Sequence, residues 1–216
     1  MKNASGNPCS WPACWTAAVV VLAAATISGA TEKEFVWLPS NGGNGHIYRF
    51  VLPDEDMNVT WEQAKIASSL MDRFSVPGHL ATITSSEEND FIRFQTAYLM
   101  QPIIPGVIES DKAWMGLSDT AIEGQYEWIT GEPFVFSAWF DGEPNNYGGD
   151  EDYVTYSNLQ LANGGVSFGW NDEMNSVTRG RVGYLAEFDV FVPEPASSLF
   201  VMLTLLSLLC LTRPRR

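Results

Sequence analysis

Cysteine is almost missing from this sequence. Of 216 residues only Cys9, Cys14 and Cys210 carry a thiol, all near the termini, so whatever folds between them has no internal disulfide. Histidine is as scarce: with His46 and His79 alone, imidazole-based metal or nucleophile chemistry has little to work with, and both read as structural. Basic residues number 12 against 26 acidic ones, a formal charge of -14, which repels phosphate backbones and excludes a nucleic-acid-seeking chain. No repeat, low-complexity tract or linker interrupts residues 31 to 192. A hydrophobic share of 45% with 18% charged residues argues for a packed core rather than disorder. The length allows one domain of about 150 residues plus extras.

The extras are at the ends. Lys2 precedes an apolar run from Ala17 to Ala25 and then Ser28-Gly29-Ala30, the pattern of a secretory signal cleaved after Ala30. At the other end Leu199 to Leu211 is nearly unbroken apolar sequence, preceded by Val192-Pro193-Glu194-Pro195-Ala196 and followed by Arg213, Arg215 and Arg216. Extended from Ala196 to Thr212, the run reaches the lower edge of a membrane-spanning helix, and the closing arginines place the folded part outside the cytoplasm. This three-part order resembles the PEP-CTERM sorting signal of bacterial exported proteins. The resemblance implies an exosortase-type processing enzyme as partner, removal of the tail after transient membrane anchoring, and association with exopolysaccharide; a plain membrane anchor is the alternative. The expected organisation is signal peptide 1–30, folded domain 31–191 and sorting signal 192–216. Removing Lys2, Arg213, Arg215, Arg216 and Glu194 from the totals of 12 and 26 leaves 8 basic against 25 acidic residues in the middle, a balance that suits cations.

Within the middle, the residues from His46 to Leu52 have strand composition. A helix is expected over about Thr60 to Met71, with Trp61, Ala64, Ser68 and Met71 on one face; Ile66 and Leu70 fall on the far side, which implies cover on two sides. His79 to Thr84 reads as a short strand. Ser85-Ser86-Glu87-Glu88 matches a capping box, Glu88 reaching back to Ser85, ahead of a helix carrying Phe91, Ile92, Phe94 and Leu99. Strand candidates follow at Ala113 to Leu117, Tyr126 to Ile129, Val154 to Tyr156, Val166 to Trp170 and Val182 to Phe188. Between them Gly131 to Asp152 has little regular pattern, and a loop of that length in a compact domain tends to be functional. Helices before a largely antiparallel sheet make the class α+β.

The long loop holds Glu143-Pro144-Asn145-Asn146-Tyr147-Gly148-Gly149-Asp150-Glu151-Asp152, and Trp170-Asn171-Asp172 comes later. Glu143, Asn145, Glu151, Asn171 and Asp172 all present side-chain oxygens. A hard cation that takes about six to eight oxygen ligands suits them, Ca2+ better than Mg2+ because irregular loops fit its flexible geometry. A cis bond before Pro144 would turn Glu143 and Asn145 to the same side.

At these residues the chain resembles the C-type lectin-like domain over about Asn44 to Asp189. The resemblance is carried, in shared order, by Gly45-His46-Ile47-Tyr48, Trp61 and Ala64, Gly78-His79-Leu80-Ala81 with Glu88 and Phe91, Trp114-Met115-Gly116-Leu117, Glu127-Trp128, Trp139, Glu143-Pro144-Asn145, Trp170-Asn171-Asp172 and Glu187-Phe188. It implies a C-type lectin-like fold of two helices and a mostly antiparallel sheet. It also implies a principal Ca2+ site at Glu143, Asn145, Glu151, Asn171 and Asp172, and an auxiliary one at Asp119, Glu123, Asn146, Glu151 and Asp152, where Asn146 stands at a position often acidic. Carbohydrate would be bound through Glu143, Asn145, Glu151 and Asn171, with Tyr147 against the sugar face or packed on its own loop. The Glu-Pro-Asn order implies mannose, glucose, N-acetylglucosamine or fucose-type hydroxyls. The family's two usual disulfides are missing: Ser68 and Ala186 stand at one pair, Tyr153 and Asn175 at the other.

Two other functions fit the same residues: a surface interaction domain in which Ca2+ only steadies the loop, and a glycosidase using two of Glu143, Glu151 and Asp172. Carboxylates that hold Ca2+ are poor general acids, so no enzyme is expected. Trp114, Trp128 and Trp139 read as core. Mass spectrometry of the exported protein is expected to find a mature N-terminus at Thr31.

Overall fold

The computed structural model describes residues 30–54, 58–100, 111–160, 166–176 and 180–191. The expected secretory signal of residues 1–30, apart from its last residue, and the expected sorting signal of residues 192–216 lie outside the described residues. Among the described residues no helix is long and apolar enough to cross a membrane.

The chain opens with β1 (Thr31–Val36) and β2 (Ile47–Leu52), then α1 (Trp61–Leu70) and three two-residue strands, β3 (Asp72–Arg73), β4 (Val76–Pro77) and β5 (His79–Leu80). After α2 (Ser86–Thr96) come β6 (Lys112–Ser118), β7 (Glu127–Trp128), β8 (Tyr153–Gln160), β9 (Val166–Glu173) and β10 (Val182–Phe188). The main sheet runs β1-β2-β10-β6-β8-β9, with β5 beside β10 and β7 beside β6, and only the β10–β6 pair is parallel. The expected α+β class with two early helices and a mostly antiparallel sheet is the observed one.

Period-two alternation sorts the side chains of the central strands into two cores. Tyr48, Phe50 and Leu185 point to one face with Ile92 of α2, Trp128 and Trp170; Ile47, Val51, Ala186 and Phe188 point to the other with Trp61 and Ala64 of α1. β10 is buried along its whole length because a neighbour flanks it on each side and a helix covers each face. Gly183 is required there, since a Cβ would collide with the Val51 carbonyl of β2.

Local chemistry sets the helix starts, with two departures from the sequence reading. The complete capping box is in α1: Gln63 N–H donates to Thr60 Oγ1 (3.2 Å) and Thr60 N–H to Gln63 Oε1 (2.9 Å). At α2 only half of the expected box forms. Ser85 Oγ accepts the Glu88 N–H (3.2 Å), but the Glu88 carboxylate accepts from Thr84 N–H (2.9 Å), Thr84 Oγ1 (3.2 Å) and the buried Tyr48 hydroxyl (2.5 Å). Burial and the nearby Glu187 raise the Glu88 carboxyl to about 6. The second departure is that α1 is covered on one face only: Trp61, Ala64 and Ser68 are buried while Ile66 and Leu70 are exposed, because the helix lies on the outside of a single sheet.

The positions that lack cysteine are filled by packing. Ser68 and Ala186 are fully buried between α1 and β10. Tyr153 and Asn175 both converge on the start of α1: the Tyr153 ring lies 4.8 Å from that of Trp61, its hydroxyl donates to Glu62 (2.8 Å), and Asn175 Oδ1 accepts the Trp61 N–H (3.0 Å). Trp61 in turn donates its indole N–H to Met115 O (2.7 Å). Trp61→Ala is expected to cost about 3–5 kcal/mol in denaturant-induced unfolding, at the upper range for a buried aromatic truncation.

Candidate functional site

The loop from Gly131 to Asp152 contains a single 3-10 turn at Tyr147–Gly149 and is otherwise held by tertiary contacts. Its first half is fastened to β9 around Trp170. Trp170 N–H donates to Ala138 O (2.8 Å) and Phe140 N–H donates to Trp170 O (3.0 Å), a parallel bridge between Trp139 and Trp170. Phe136, Trp139 and Trp128 meet the Trp170 ring edge-on at 5.6 to 5.9 Å, and its indole N–H reaches Asn89 of α2 (3.1 Å). Trp114 and Trp128 are core residues as expected; Trp139 packs against the core half-buried.

Two residues past Trp170, the fully buried Asp172 holds the second half of the loop. Its Oδ1 accepts the Asn145 N–H (3.2 Å) and its Oδ2 the Asn146 N–H (2.7 Å). The Glu143–Pro144 bond is cis, and the Asn145 side-chain amide donates to the Glu143 carboxylate, so the two side chains stand together. Asn146 takes a left-handed conformation (φ 45°) that closes the turn; its side-chain oxygen accepts the Glu151 N–H (3.2 Å) while Glu151 Oε2 accepts the Tyr147 N–H (2.6 Å). Glu143, Asn145, Asp172 and Glu151 are thus brought to one place through a lattice of carboxylates and backbone donors.

Asn171 follows a different path. On a strand, neighbours point to opposite faces, and the Asn171 amide donates to Glu173 (2.9 Å), which also pairs with Lys112. Lys112 also favours the charged form of Glu151. Glu173 and Lys112 are members of the site that the sequence reading lacks; the signal for Glu173 is its place two residues after Asn171, whereas nothing local points to Lys112.

Crowding of negative charge marks the electrostatics. Burial, then Asp172 through both its charge and a shared proton, then Glu151, raise the Glu143 carboxyl to about 7. Burial, with the Asp172 charge, raises Glu151 as well. The Tyr126 hydroxyl is held far from ionisation by burial and by the charges of Asp172, Asp119, Glu123 and Glu151. Behind them, Asp119 Oδ2 accepts the Gly124 N–H (2.8 Å), while the buried Asp119 Oδ1 has no partner among the described residues. Asp119 N–H bonds to Asp152 O (3.1 Å), and burial followed by the charges of Asp119 and Asp150 raises the Asp152 carboxyl. Tyr147 is 78% exposed, so it is not packed onto its own loop.

A twisted sheet carrying helices on both faces, with a long acidic loop stapled to its edge strand, defines the architectural class. The chain belongs to the C-type lectin domain family, whose model, described as Lectin C-type domain, matches residues 57–179. Echinoidin of Heliocidaris crassispina is 30% identical over 115 residues, which span 49% of this chain and 69% of that protein. Halomucin of Haloquadratum walsbyi is 27% identical over 166 residues, 71% of this chain but only 2% of that protein's length. Among solved structures, the EPNH mutant of CEL-I superposes with a TM-score of 0.50 at 23% identity, covering 68% of this chain and 92% of its own.

The raised Glu143 gives a pH prediction. A carboxyl whose folded pKa lies above its ordinary 4.5 binds its proton more tightly in the native state, so the native state loses stability as pH rises from 4.5 and the loss is complete above about 7. In chelator, melting curves of the wild type are expected to fall relative to Glu143→Gln across that window; parallel curves would show that Glu143 does not carry the effect.

Proposed function

We propose that this domain is a Ca2+-dependent carbohydrate-binding module, displayed at the cell surface or in the extracellular matrix. The observation that carries the reading is the Asp172 clamp: one buried carboxylate fixes the backbone of Asn145 and Asn146, and so sets Glu143 and Asn145 side by side next to Glu151. Glu143, Asn145, Glu151 and Asp172, which the fold gathers, would hold the ion together with Asn171, whose amide would first leave Glu173. Three carboxylates and two amides are an all-oxygen set suited to a hard cation, and carboxyls raised by mutual repulsion and burial are what a divalent ion relieves.

A bound Ca2+ supplies coordination positions for two vicinal hydroxyls of a sugar. The chain supplies the stereochemical reading. Glu143 and Glu151 accept the hydroxyl protons, while the amides of Asn145 and Asn171 donate to the oxygen lone pairs. This donor and acceptor order favours equatorial 3- and 4-hydroxyls of the mannose, glucose, N-acetylglucosamine or fucose type. The exposed Tyr147 ring is available for the sugar's apolar face. Asp119, Glu123, Asn146, Glu151 and Asp152 make a second cation site, supported by the unpartnered Asp119 oxygen.

The role is binding rather than catalysis. Export through the signal at 1–30, with the folded domain at 31–191, and processing of the 192–216 tail by an exosortase-type enzyme after transient anchoring, would bring the domain to exopolysaccharide or foreign glycan.

The test is binding of the purified protein to immobilised mannose-, glucose-, fucose- and galactose-type glycans, in Ca2+ and in EDTA. Binding to the mannose-type set that EDTA abolishes is the expected result, with Glu143→Gln/Asn145→Asp shifting preference toward galactose. A protein that melts higher in Ca2+ yet retains no glycan would make it a surface interaction domain with a structural ion.

A further inference from the structure

At the end of β10 four side chains meet that the loop site does not use. Register brings them there: Glu187 pairs with Tyr48 of β2 and with His79 of β5, and Phe188 pairs with Ile47. Just past the paired ends of β2 and β10, His46 and Asp189 come close to Glu187 and His79. His46 Nδ1 is 2.8 Å from Glu187 Oε1 and 3.6 Å from Asp189 Oδ1, and His79 Nε2 is 3.0 Å from the same Asp189 oxygen. The ligand atoms of His46, Glu187 and Asp189 all lie within 4.8 Å of one another.

The groups behind these atoms fix how they are presented. His79 Nδ1 lies 2.9 Å from the Leu80 carbonyl and its Nε2 3.0 Å from Asp189, and against the cost of burial these acceptors and Glu187 favour the protonated ring, so His79 holds the Asp189 carboxylate in place. Glu187 Oε2 accepts the Thr82 N–H (2.9 Å), which turns Oε1 toward His46. Outer partners of this kind are what orient metal-ligating imidazoles and carboxylates. Lone pairs that face one another at about 3 Å require a positive charge between them, either protons or a metal ion. The neutral His46 imidazole with the Glu187 and Asp189 carboxylates sums to the charge that one divalent ion cancels. Glu187 and the two rings are largely buried, while the Asp189 side chain is 58% exposed and leaves the group open to solvent.

We propose that His46, Glu187 and Asp189 bind a transition-metal ion, Zn2+ by ligand type, independently of the acidic loop, with His79 positioning Asp189. One nitrogen and two oxygen donors, with a fourth position open to water, make a four-coordinate set that suits Zn2+ better than Ca2+. The site ties β2, β5 and β10 together beside Ala186, one of the positions where the family's usual disulfide is absent. The ion is a clip at the base of the domain, and the histidines have more than a structural role.

The test is titration of the full chain, carrying Cys9→Ser, Cys14→Ser and Cys210→Ser so that no thiol competes, with Zn2+ in saturating Ca2+. One Zn2+ per chain is expected, and Co2+ in its place should give the intense visible absorption of a four-coordinate site that Zn2+ then bleaches. His46→Ala/His79→Ala, and separately Asp189→Asn at the exposed position, should each weaken Zn2+ binding at least about tenfold, with circular dichroism reporting that the fold is kept. Absence of stoichiometric Zn2+ uptake by the parent chain in excess Ca2+, or uptake unchanged in both variants, would overturn the proposal. Neither result bears on Ca2+ or glycan binding at the loop.

Discussion

The burial of Trp170 is the constraint on which the rest of this structure depends. The indole is fully buried, hydrogen-bonded to α2 and ringed by aromatic residues from β7 and the long loop. Its backbone N–H and carbonyl are spent on that loop rather than on solvent. A segment of this length would be costly to order on its own, and the apolar area gathered around one ring offsets much of that cost. With Trp170 placed, Asp172 follows at fixed distance along the strand, and the loop's polar half is organised around it.

A second theme is the use of buried carboxylates as internal fasteners. Asp172 accepts two backbone N–H groups, Glu151 accepts that of Tyr147, Glu88 that of Thr84 and Glu187 that of Thr82. Charge-assisted bonds of this type are stronger than neutral ones and fix irregular backbone where no ladder reaches. In a domain without cysteine they do locally what covalent links would do. The cost is burial of charge together with crowding of carboxylates, visible in the raised carboxyls of Glu88, Glu143 and Glu151.

Much of this was legible in the sequence where pattern and position coincide. β10 runs from Val182 to Phe188 as its mostly apolar and aromatic composition suggests, and Glu143 and Asn145 stand side by side across a cis bond. Illegible features have long-range causes. β1 begins with charged residues and owes its strand to pairing with β2, a partner that composition does not reveal. The β3–β4 hairpin turns through Phe74 and Ser75 at positive φ, without the glycine or asparagine that marks such turns. The strand expected over His79 to Thr84 stops at Leu80; Ala81 still bonds to Leu185 and Gly116, but the Glu187 and Glu88 carboxylates take the backbone N–H groups of Thr82 and Thr84. The capping role expected of Glu88 gives way to the Tyr48 hydroxyl for the same reason: a buried phenol needs an acceptor, and only tertiary structure brings the two together.

The bridge between Trp139 and Trp170 has one more consequence. β9 is the last strand of the sheet, and an outer strand with unpaired backbone groups invites a second chain to extend it. At the opposite border β1 discourages this with Glu32, Lys33 and Glu34. β9 is blocked instead by the loop's own backbone, through Ala138 and Phe140. The segment that presents Glu143 and Asn145 is therefore also the guard of an otherwise adhesive border, so ordering the loop also shields that edge from pairing with a second chain.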